Sequence, residues 1–329
     1  MERLVTDMTE TEILFDLLEK GISPAHAVSA CEKRLTDAGF EVVDYGTAWN
    51  LKAGGKYVVN HHETTLFAFT LPQNWSDREP AIRIAAAHTD FPCLRIKPSC
   101  DIQTNGYAQV NVEVYGGAIL NTWLDRPLGV AGRVAVRSGD VFTPEVVTFQ
   151  SEKNLMTIPN LAIHMNREVN KGVELNKQTE LLPICGLSDD ADYFLDFLAK
   201  ELAVKKEDIL DFELTIYNKE KPEFVGLNDE FISASRLDNL NSCSALVSAI
   251  IDSDRADGMN LIALFDHEEI GSRSKQGAGS ILLHDMLVRI LTECGLEKEV
   301  WNRLYNSIIL SVDVAHGLHP NYAGKMDLT

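Results

Sequence analysis

The stretch NLIALFDHEE (residues 260–269) decides the fold, because a short apolar run ends abruptly in four acidic or imidazole side chains. Such a run, bounded by polar residues, predicts a buried β-strand. The same pattern occurs twice more, where residues 81–87 are followed by His88 and residues 307–312 by Asp313. We therefore predict three buried strands that each end in a potential metal ligand or catalytic group.

Helical patterns lie before and between these strands. Residues 240–251 and 280–293 have apolar side chains at helical spacing, and two further helices begin at a capping box after Thr9 and at Ser23-Pro24. Alternation of strands and helices favours parallel strands with helices on both faces. The predicted fold class is α/β, with a mixed, mostly parallel sheet flanked by helices.

The sequence changes character between residues 94 and 234. Period-two alternation predicts strands there, with residues 138–140 as a hairpin turn. The predicted strands are 108–115, 130–137 and 141–149, followed by one helix (190–202) and one strand (211–217). We expect a catalytic α/β domain made of residues 1–93 and 235–329, interrupted by a β-rich domain of residues 94–234.

Composition restricts the partners and the compartment. The 329 residues contain 30 Lys and Arg against 49 Asp and Glu, a net charge of −19 that repels phosphate groups. We therefore expect neither nucleic acid nor a membrane as a partner. The six cysteines form no C-x-x-C pair, and the acidic, amphipathic first 20 residues do not resemble a signal peptide. These features favour a cytoplasmic protein with reduced thiols.

The strand ends predict a metal site. Ligands of open α/β sheets bind beyond the carboxyl ends of the strands, and a further acid, Asp238, precedes a predicted helix. Two carboxylates 4 Å apart repel by about 4 kcal/mol at an effective dielectric constant of 20, so several acids in one crevice are either partly protonated or stabilised by divalent cations. One imidazole with several carboxylates suits zinc, manganese or cobalt. A carboxylate shared by two ions recurs in two-metal hydrolases.

Each signal alone also has a simpler explanation. A single histidine after a strand is usually a hydrogen-bonded residue, a Glu-Glu pair is usually solvated, and Asp238 alone would be a helix cap. The corresponding positions on successive α/β units favour the site instead. The chain contains no G-x-G-x-x-G or P-loop motif, and Gly271 excludes H-E-x-x-H.

At these residues the sequence resembles the aspartyl aminopeptidase family of two-metal exopeptidases. Six stretches, in an order and spacing that cover nearly the whole chain, carry the resemblance. They are AAHTDFPCLRIKP (86–98), TWLDRPLGVAGRV (122–134), IPNLAIHMNREVNKG (158–172), SRLDNLNSC (235–243), LFDHEEIGSRSKQGAGS (264–280) and SVDVAHGLHPNY (311–322).

The resemblance implies the metal ligands. The first ion would be held by His88, Asp238 and Asp313. Asp238 would bridge to a second ion, which Glu269 also binds. The two divalent ions are expected to be zinc, with manganese or cobalt as alternatives.

The resemblance also implies the roles of four other residues. Glu268 would be the general base, and Asp90 would orient the ring of His88. His316 would contact the substrate near the scissile carbonyl, and His164 would reach the active site of a neighbouring subunit.

The expected activity is removal of N-terminal residues, mainly Asp or Glu, from peptides. The family forms homodimers through its β-rich domain, and these build larger closed shells. Its members continue past Thr329 with a further strand and the last histidine ligand of the second ion, so we expect this sequence to lack a C-terminal part. Two alternatives remain open: a metal-dependent amidase or deacylase, and a truncated non-catalytic assembly subunit.

Overall fold

The computed structural model describes residues 8–76, 80–172, 174–253 and 255–326; the first seven residues of the acidic N-terminal stretch lie outside it. The helices are α1 (Glu10–Lys20), α2 (Pro24–Asp37), α3 (Tyr193–Glu201), α4 (Leu237–Ile251), α5 (Leu282–Glu293) and α6 (Val300–Tyr305). The strands are β1 (Glu41–Val42), β2 (Lys56–His61), β3 (Thr65–Thr70), β4 (Ile82–His88), β5 (Cys93–Thr104), β6 (Tyr107–Tyr115), β7 (Leu128–Val136), β8 (Glu145–Gln150), β9 (Ile184–Leu187), β10 (Ile209–Asn218), β11 (Glu223–Val225), β12 (Phe231–Ser233), β13 (Met259–Phe265) and β14 (Ile308–Ser311).

Six strands form the first sheet, in the order β1-β2-β3-β13-β4-β14. The three strands picked out from the sequence are neighbours: β4 runs parallel to β13 on one side and to β14 on the other. Strand β3 is antiparallel to both β2 and β13. The predicted mixed, mostly parallel α/β sheet is confirmed.

Helices cover both faces of the inner strands, which explains why β3 and β13 read as apolar runs. The third strand predicted to be buried is exposed instead: β14 is the last strand of the described sheet, and Ile308, Ile309 and Leu310 are each more than half-exposed. Along β3, Leu66 faces a core with α1, α2 and α4, whereas Phe67 faces a core with α5. The two predicted helix starts at the N-terminus are also confirmed. The Thr9 side chain accepts from the Glu12 N–H, and the Ser23 side chain accepts from the His26 N–H ahead of α2.

The second sheet is antiparallel throughout and has the order β8-β7-β10-β5-β6-β9. Helix α3 buries Phe194 and Leu198 against it, so this sheet has its own core. Its strands all lie between Cys93 and Asn218 in the sequence, and the chain returns to the first sheet through the short β11–β12 hairpin and α4.

Two features of the second sheet differ from what the sequence predicts. The predicted strand over 141–149 begins only at Glu145, because the preceding residues form a wide turn in which Phe142 is 92% exposed and donates its N–H to Asp140. The 12-residue strand β5 was not predicted from the sequence. Its alternation is broken by Lys97-Pro98, and its pairing with β6 shifts register between Ile96 and Asp101.

The cysteines fit the expected reduced state. All six are free thiols, and Cys31, Cys93, Cys100 and Cys243 are buried. No helix in the described ranges combines the length and the apolar character needed to cross a membrane.

Candidate metal centre

His88 lies at the centre of a group of carboxylates at the carboxyl end of β4. Its Nε2 atom is 3.3 Å from Asp238 Oδ1, 3.7 Å from Asp313 Oδ1 and 3.7 Å from Glu268 Oε2. One donor atom each from His88, Asp238 and Asp313 fall within 4.8 Å of one another. The His88 ring is buried, whereas the carboxylates are about half-exposed, so the group opens toward solvent on one side.

Strand register brings these residues together. Phe265, the last residue of β13, pairs with His88, so the Glu268–Ile270 turn begins beside the imidazole. Asp313 follows the end of β14 by two residues. Asp238 comes from the irregular start of α4, where Asn239 donates its side-chain N–H to the Val312 carbonyl at 2.9 Å.

Asp90 supports this group of residues through hydrogen bonds from a buried position. Its side chain is fully buried and accepts hydrogen bonds from the backbone N–H groups of Glu268 (3.0 Å) and Glu269 (3.1 Å). His88 Nδ1 faces the Asp90 carbonyl oxygen at 3.0 Å and its carboxylate at 3.4 Å. The carboxylate thus holds the ring and the glutamate-bearing turn in one arrangement.

Glu269 follows Glu268 in the same turn and is not one of the three residues whose donor atoms converge, but its environment suits a metal ligand. Burial raises the pKa of Glu269, and the charges of Asp238 and Asp90 add to the effect although the Gly117 N–H opposes it. Burial also raises the pKa of Asp238, with the nearby Asp313 charge contributing. These carboxylates are therefore crowded, which favours a shared cation.

The imidazole is the positive group that faces the carboxylates. Burial lowers the pKa of His88, but the hydrogen bonds and charge of Asp90, followed by the charge of Glu268, outweigh it and raise the pKa to about 9. Within the described ranges, no lysine or arginine forms an ion pair with Asp238, Glu268 or Asp313. One imidazole and several carboxylates without a fixed cation fit a divalent metal ion such as zinc.

Two predicted site residues are not part of this group. His316 lies beyond β14 and His164 lies in the long loop between β8 and β9, and both are exposed. Over the described residues, neither forms a hydrogen bond or ion pair with His88 or its carboxylates. Tyr115, in contrast, was not singled out from the sequence, yet its hydroxyl donates to Asp90 at 2.7 Å. The position of Tyr115 at the end of a strand with alternating residues does not predict this contact.

A cavity of about 480 Å³ opens beside Asp238, between the end of β10, the connection from β6 to β7 and the start of α4. Aromatic side chains form part of its wall, and cationic side chains lie at its margin. These residues are Phe91, Trp123, Tyr217, Arg126, Lys221 and Arg236. The cavity is large enough for an amino-acid side chain next to the metal centre.

Comparisons with known proteins identify the family. The family model described as aminopeptidase I zinc metalloprotease (M18) matches residues 17–328. A probable M18 family aminopeptidase 2 from Clostridium novyi is 41% identical over 322 residues, which are 96% of this chain and 74% of the relative. The structure of Chaetomium thermophilum mApe1 superposes with a TM-score of 0.85 at 29% identity and covers 95% of this chain and 76% of that one. The S. cerevisiae mApe1 dodecamer gives a TM-score of 0.75 at 24% identity, over 96% of this chain and 73% of that one. The chain, with its histidine and carboxylate cluster at the strand ends, thus belongs to the M18 family of zinc metallo-aminopeptidases.

Proposed function

We propose that the chain removes N-terminal residues from peptides at a two-metal centre. His88, Asp238 and Asp313 would hold the first ion, and Asp238 and Glu269 would hold the second. The observation that carries the proposal is the set of distances of 3.3–3.7 Å between His88 Nε2 and three separate carboxylates. Zinc is the expected ion, with manganese and cobalt as alternatives for the same donor set.

Glu268 is the proposed general base. When bound, divalent cations lower the pKa of water and polarise a carbonyl group. Glu268 is half-exposed and its carboxylate is 3.7 Å from His88 Nε2, so it borders the open side of the group. There it can accept a proton from the attacking water and return it to the leaving amine. Asp90 keeps this glutamate in place through the Glu268 backbone N–H.

The second ion is expected to bind more weakly than the first. Asp238 and Glu269 are the two ligands proposed for it in this chain, and Asp238 is shared. Titration of chelator-treated protein with zinc should therefore give one tight and one weak binding step. A Glu269→Gln variant should lose the weak step and keep the tight one.

The cavity beside Asp238 supports a preference for acidic N-terminal residues. Arg126 forms an ion pair with Glu220, and the exposed Lys221 pairs with Glu19 at 3.2 Å. Arg236 donates to the carbonyls of Leu18 and Asn218. Of these three cations, Arg236 is the one without an ion pair among the described residues, so it can attract a substrate carboxylate, whereas the acidic candidate metal centre attracts a protonated amine.

The decisive experiment compares peptides that differ at the N-terminus. Zinc-loaded protein should release Asp or Glu from peptides with a free amine more rapidly than Leu, and should not act on N-acetylated copies. Faster hydrolysis of acylated amino acids would replace the proposal with an amidase or deacylase. Stoichiometric zinc without turnover on either class would leave the assembly subunit as the function.

We also propose a homo-oligomer in the cytoplasm, with residues 1–93 and 235–329 forming the catalytic domain and residues 94–234 the dimerisation domain. The loop around His164 supports this, because Leu161, Ile163 and Met165 are more than half-exposed on it. Apolar side chains at such positions are typical of contacts between subunits. The six free thiols are compatible with a reducing compartment. Light scattering on the purified protein and cell fractionation test the two parts separately.

A further inference from the structure

We propose that Tyr115 is a positioning residue of the metal centre, which acts by fixing the carboxylate of Asp90. The inference rests on the proposed function, because it takes His88, Glu268 and Glu269 as working groups of that centre. It adds a residue from the second sheet to a site otherwise built from the first.

The hydrogen bonds of Asp90 explain why one hydroxyl can matter. Its Oδ1 atom accepts from the Glu268 N–H at 3.0 Å and faces His88 Nδ1 at 3.4 Å. Its Oδ2 atom accepts from the Glu269 N–H at 3.1 Å and from the Tyr115 hydroxyl at 2.7 Å. Because the carboxylate is fully buried, water does not replace a missing donor there.

Tyr115 is the donor that reaches Asp90 from the second sheet. It ends β6, pairs with Cys93 on β5 and is buried in the core that α1, α2 and α4 form with the first sheet. The Arg95 guanidinium lies 4.0 Å from the centre of its ring, a cation–π contact that helps to fix the ring. The phenol is therefore held by the packing of one sheet while it bonds to the other.

The hydroxyl of Tyr115 remains a donor. Burial raises its pKa well above the usual range, and the charge of Asp90 raises it further. A protonated phenol beside a carboxylate forms a short, charge-assisted hydrogen bond, as the distance of 2.7 Å indicates. Without this bond, the Asp90 carboxylate keeps the N–H donors of Glu268 and Glu269 but is held less firmly against the His88 ring.

The direct test is Tyr115→Phe, which removes the hydroxyl and keeps the ring. Loss of outer partners of metal ligands costs about 10- to 100-fold in metal affinity or activity, and we expect the lower end of that range. Zinc affinity, measured by competition with a chelator, should fall about 10-fold. The value of kcat should fall with it, while KM remains unchanged because Tyr115 does not contact substrate.

Tyr57→Phe is the matched control. The Tyr57 hydroxyl is also buried and accepts the Lys52 N–H at 2.7 Å, but it lies in the core with α5 on the other face of the sheet. We expect this variant to keep the zinc affinity and kcat of the parent. Circular dichroism of both variants verifies that they are folded.

A double-mutant cycle with Asp90→Asn separates positioning from general stability. If Tyr115 acts through Asp90, Tyr115→Phe has no further effect on zinc affinity in the Asp90→Asn background, whereas independent effects add. The cycle also tests the inference if Tyr115→Phe folds poorly, because zinc affinity is measured on the folded fraction of each variant. Additive losses of zinc affinity would overturn the inference.

Asp313→Asn separates this inference from the proposed function. It should abolish tight zinc binding, because Asp313 is a proposed ligand. Unchanged zinc affinity in folded Tyr115→Phe, with zinc lost in Asp313→Asn, overturns the role of Tyr115 alone. Retention of zinc in Asp313→Asn would mean that the ion binds elsewhere, which would overturn both the role of Tyr115 and the proposed function.

Discussion

The two nitrogen atoms of His88 face different surroundings, and this asymmetry defines the site at the residue scale. Nδ1 faces the buried Asp90, whereas Nε2 faces Asp238, Asp313 and Glu268. A carboxylate behind a histidine fixes its ring orientation and raises its basicity as a metal ligand. Like charges 4 Å apart repel by about 4 kcal/mol at an effective dielectric constant of 20, so the facing carboxylates favour a cation strongly.

Zinc binding is expected to release a proton from His88. The pKa of His88 is about 9, since the bonds and charge of Asp90 and the charge of Glu268 outweigh the lowering by burial. Below that pH the ring carries a proton that it must lose to bind zinc, so zinc affinity rises with pH and levels off above about 9. Calorimetry at pH 7.5 in two buffers of different ionisation enthalpy measures the proton. Heats that are independent of the buffer would contradict this prediction.

Glu268→Gln is expected to abolish turnover and leave the metal content unchanged. Glutamine keeps the size of the side chain but cannot accept a proton, and loss of a general base typically costs about 10²- to 10⁴-fold in rate. The measurements are kcat and zinc content by elemental analysis. Glu269→Gln is the matched control at the next residue, since it should reduce zinc content instead. Zinc loss in Glu268→Gln with normal kcat per bound ion would show that Glu268 is a ligand and not the base.

At the scale of the elements, the site depends on three parallel strands ending at one edge. Phe265 of β13 pairs with His88, and Ser311 of β14 pairs with Ala86. Among the described residues, strand β14 pairs with one neighbour, β4. The Asn239 side chain adds a second attachment by donating to Val312.

Asn239→Ala is expected to loosen the end of β14 that leads to Asp313. The substitution removes a buried hydrogen bond, which typically costs about 1–3 kcal/mol of the free energy of unfolding. The loss is measured by urea denaturation with a chelator present, and zinc affinity should fall as Asp313 becomes less well placed. Asn228→Ala is the control, because among the described residues its exposed side chain bonds within its own loop, to Glu230. Equal stabilities of the two variants would contradict the attachment.

Three of the six strands of the first sheet could be predicted from apolar runs. Burial accounts for the run at β13 but not at β14, whose residues are exposed. Strands β4, β13 and β14 were expected at 81–87, 260–265 and 307–312 and are observed at Ile82–His88, Met259–Phe265 and Ile308–Ser311. The second sheet was less predictable. Alternation cannot distinguish a strand from a wide exposed turn, as at Phe142, and it is obscured by Lys97-Pro98 in β5.

The site could be predicted only where its residues lie at strand ends. His88 and Asp313 follow apolar runs, and the structure brings their donor atoms together with that of Asp238. Tyr115 could not be predicted in this way. Its role depends on a hydrogen bond between two sheets, and neither the sequence spacing nor the residue type encodes the distance from Asp90.

At the scale of the whole molecule, two sheets with separate cores meet at the metal centre. Asp90 precedes the first strand of the second sheet by three residues, and Tyr115 returns to it from the end of β6. The cavity beside Asp238 lies close by, with Phe91 and Tyr217 in its wall. Relative movement of the sheets would therefore alter the cavity and the support of the ligands together.

Met165→Glu is expected to weaken the proposed oligomer without unfolding the chain. Met165 is 76% exposed in the loop that carries His164, and each chain has a net charge of −19, so subunits repel and association depends on apolar contacts. A further negative charge at such a contact should shift the mass measured by light scattering toward smaller species, most strongly at low salt, where screening is weak. Met165→Leu keeps the surface apolar and should retain the parent mass. If both variants assemble like the parent at every salt concentration, this loop is not the contact, and the dimerisation surface must be sought elsewhere on the second sheet.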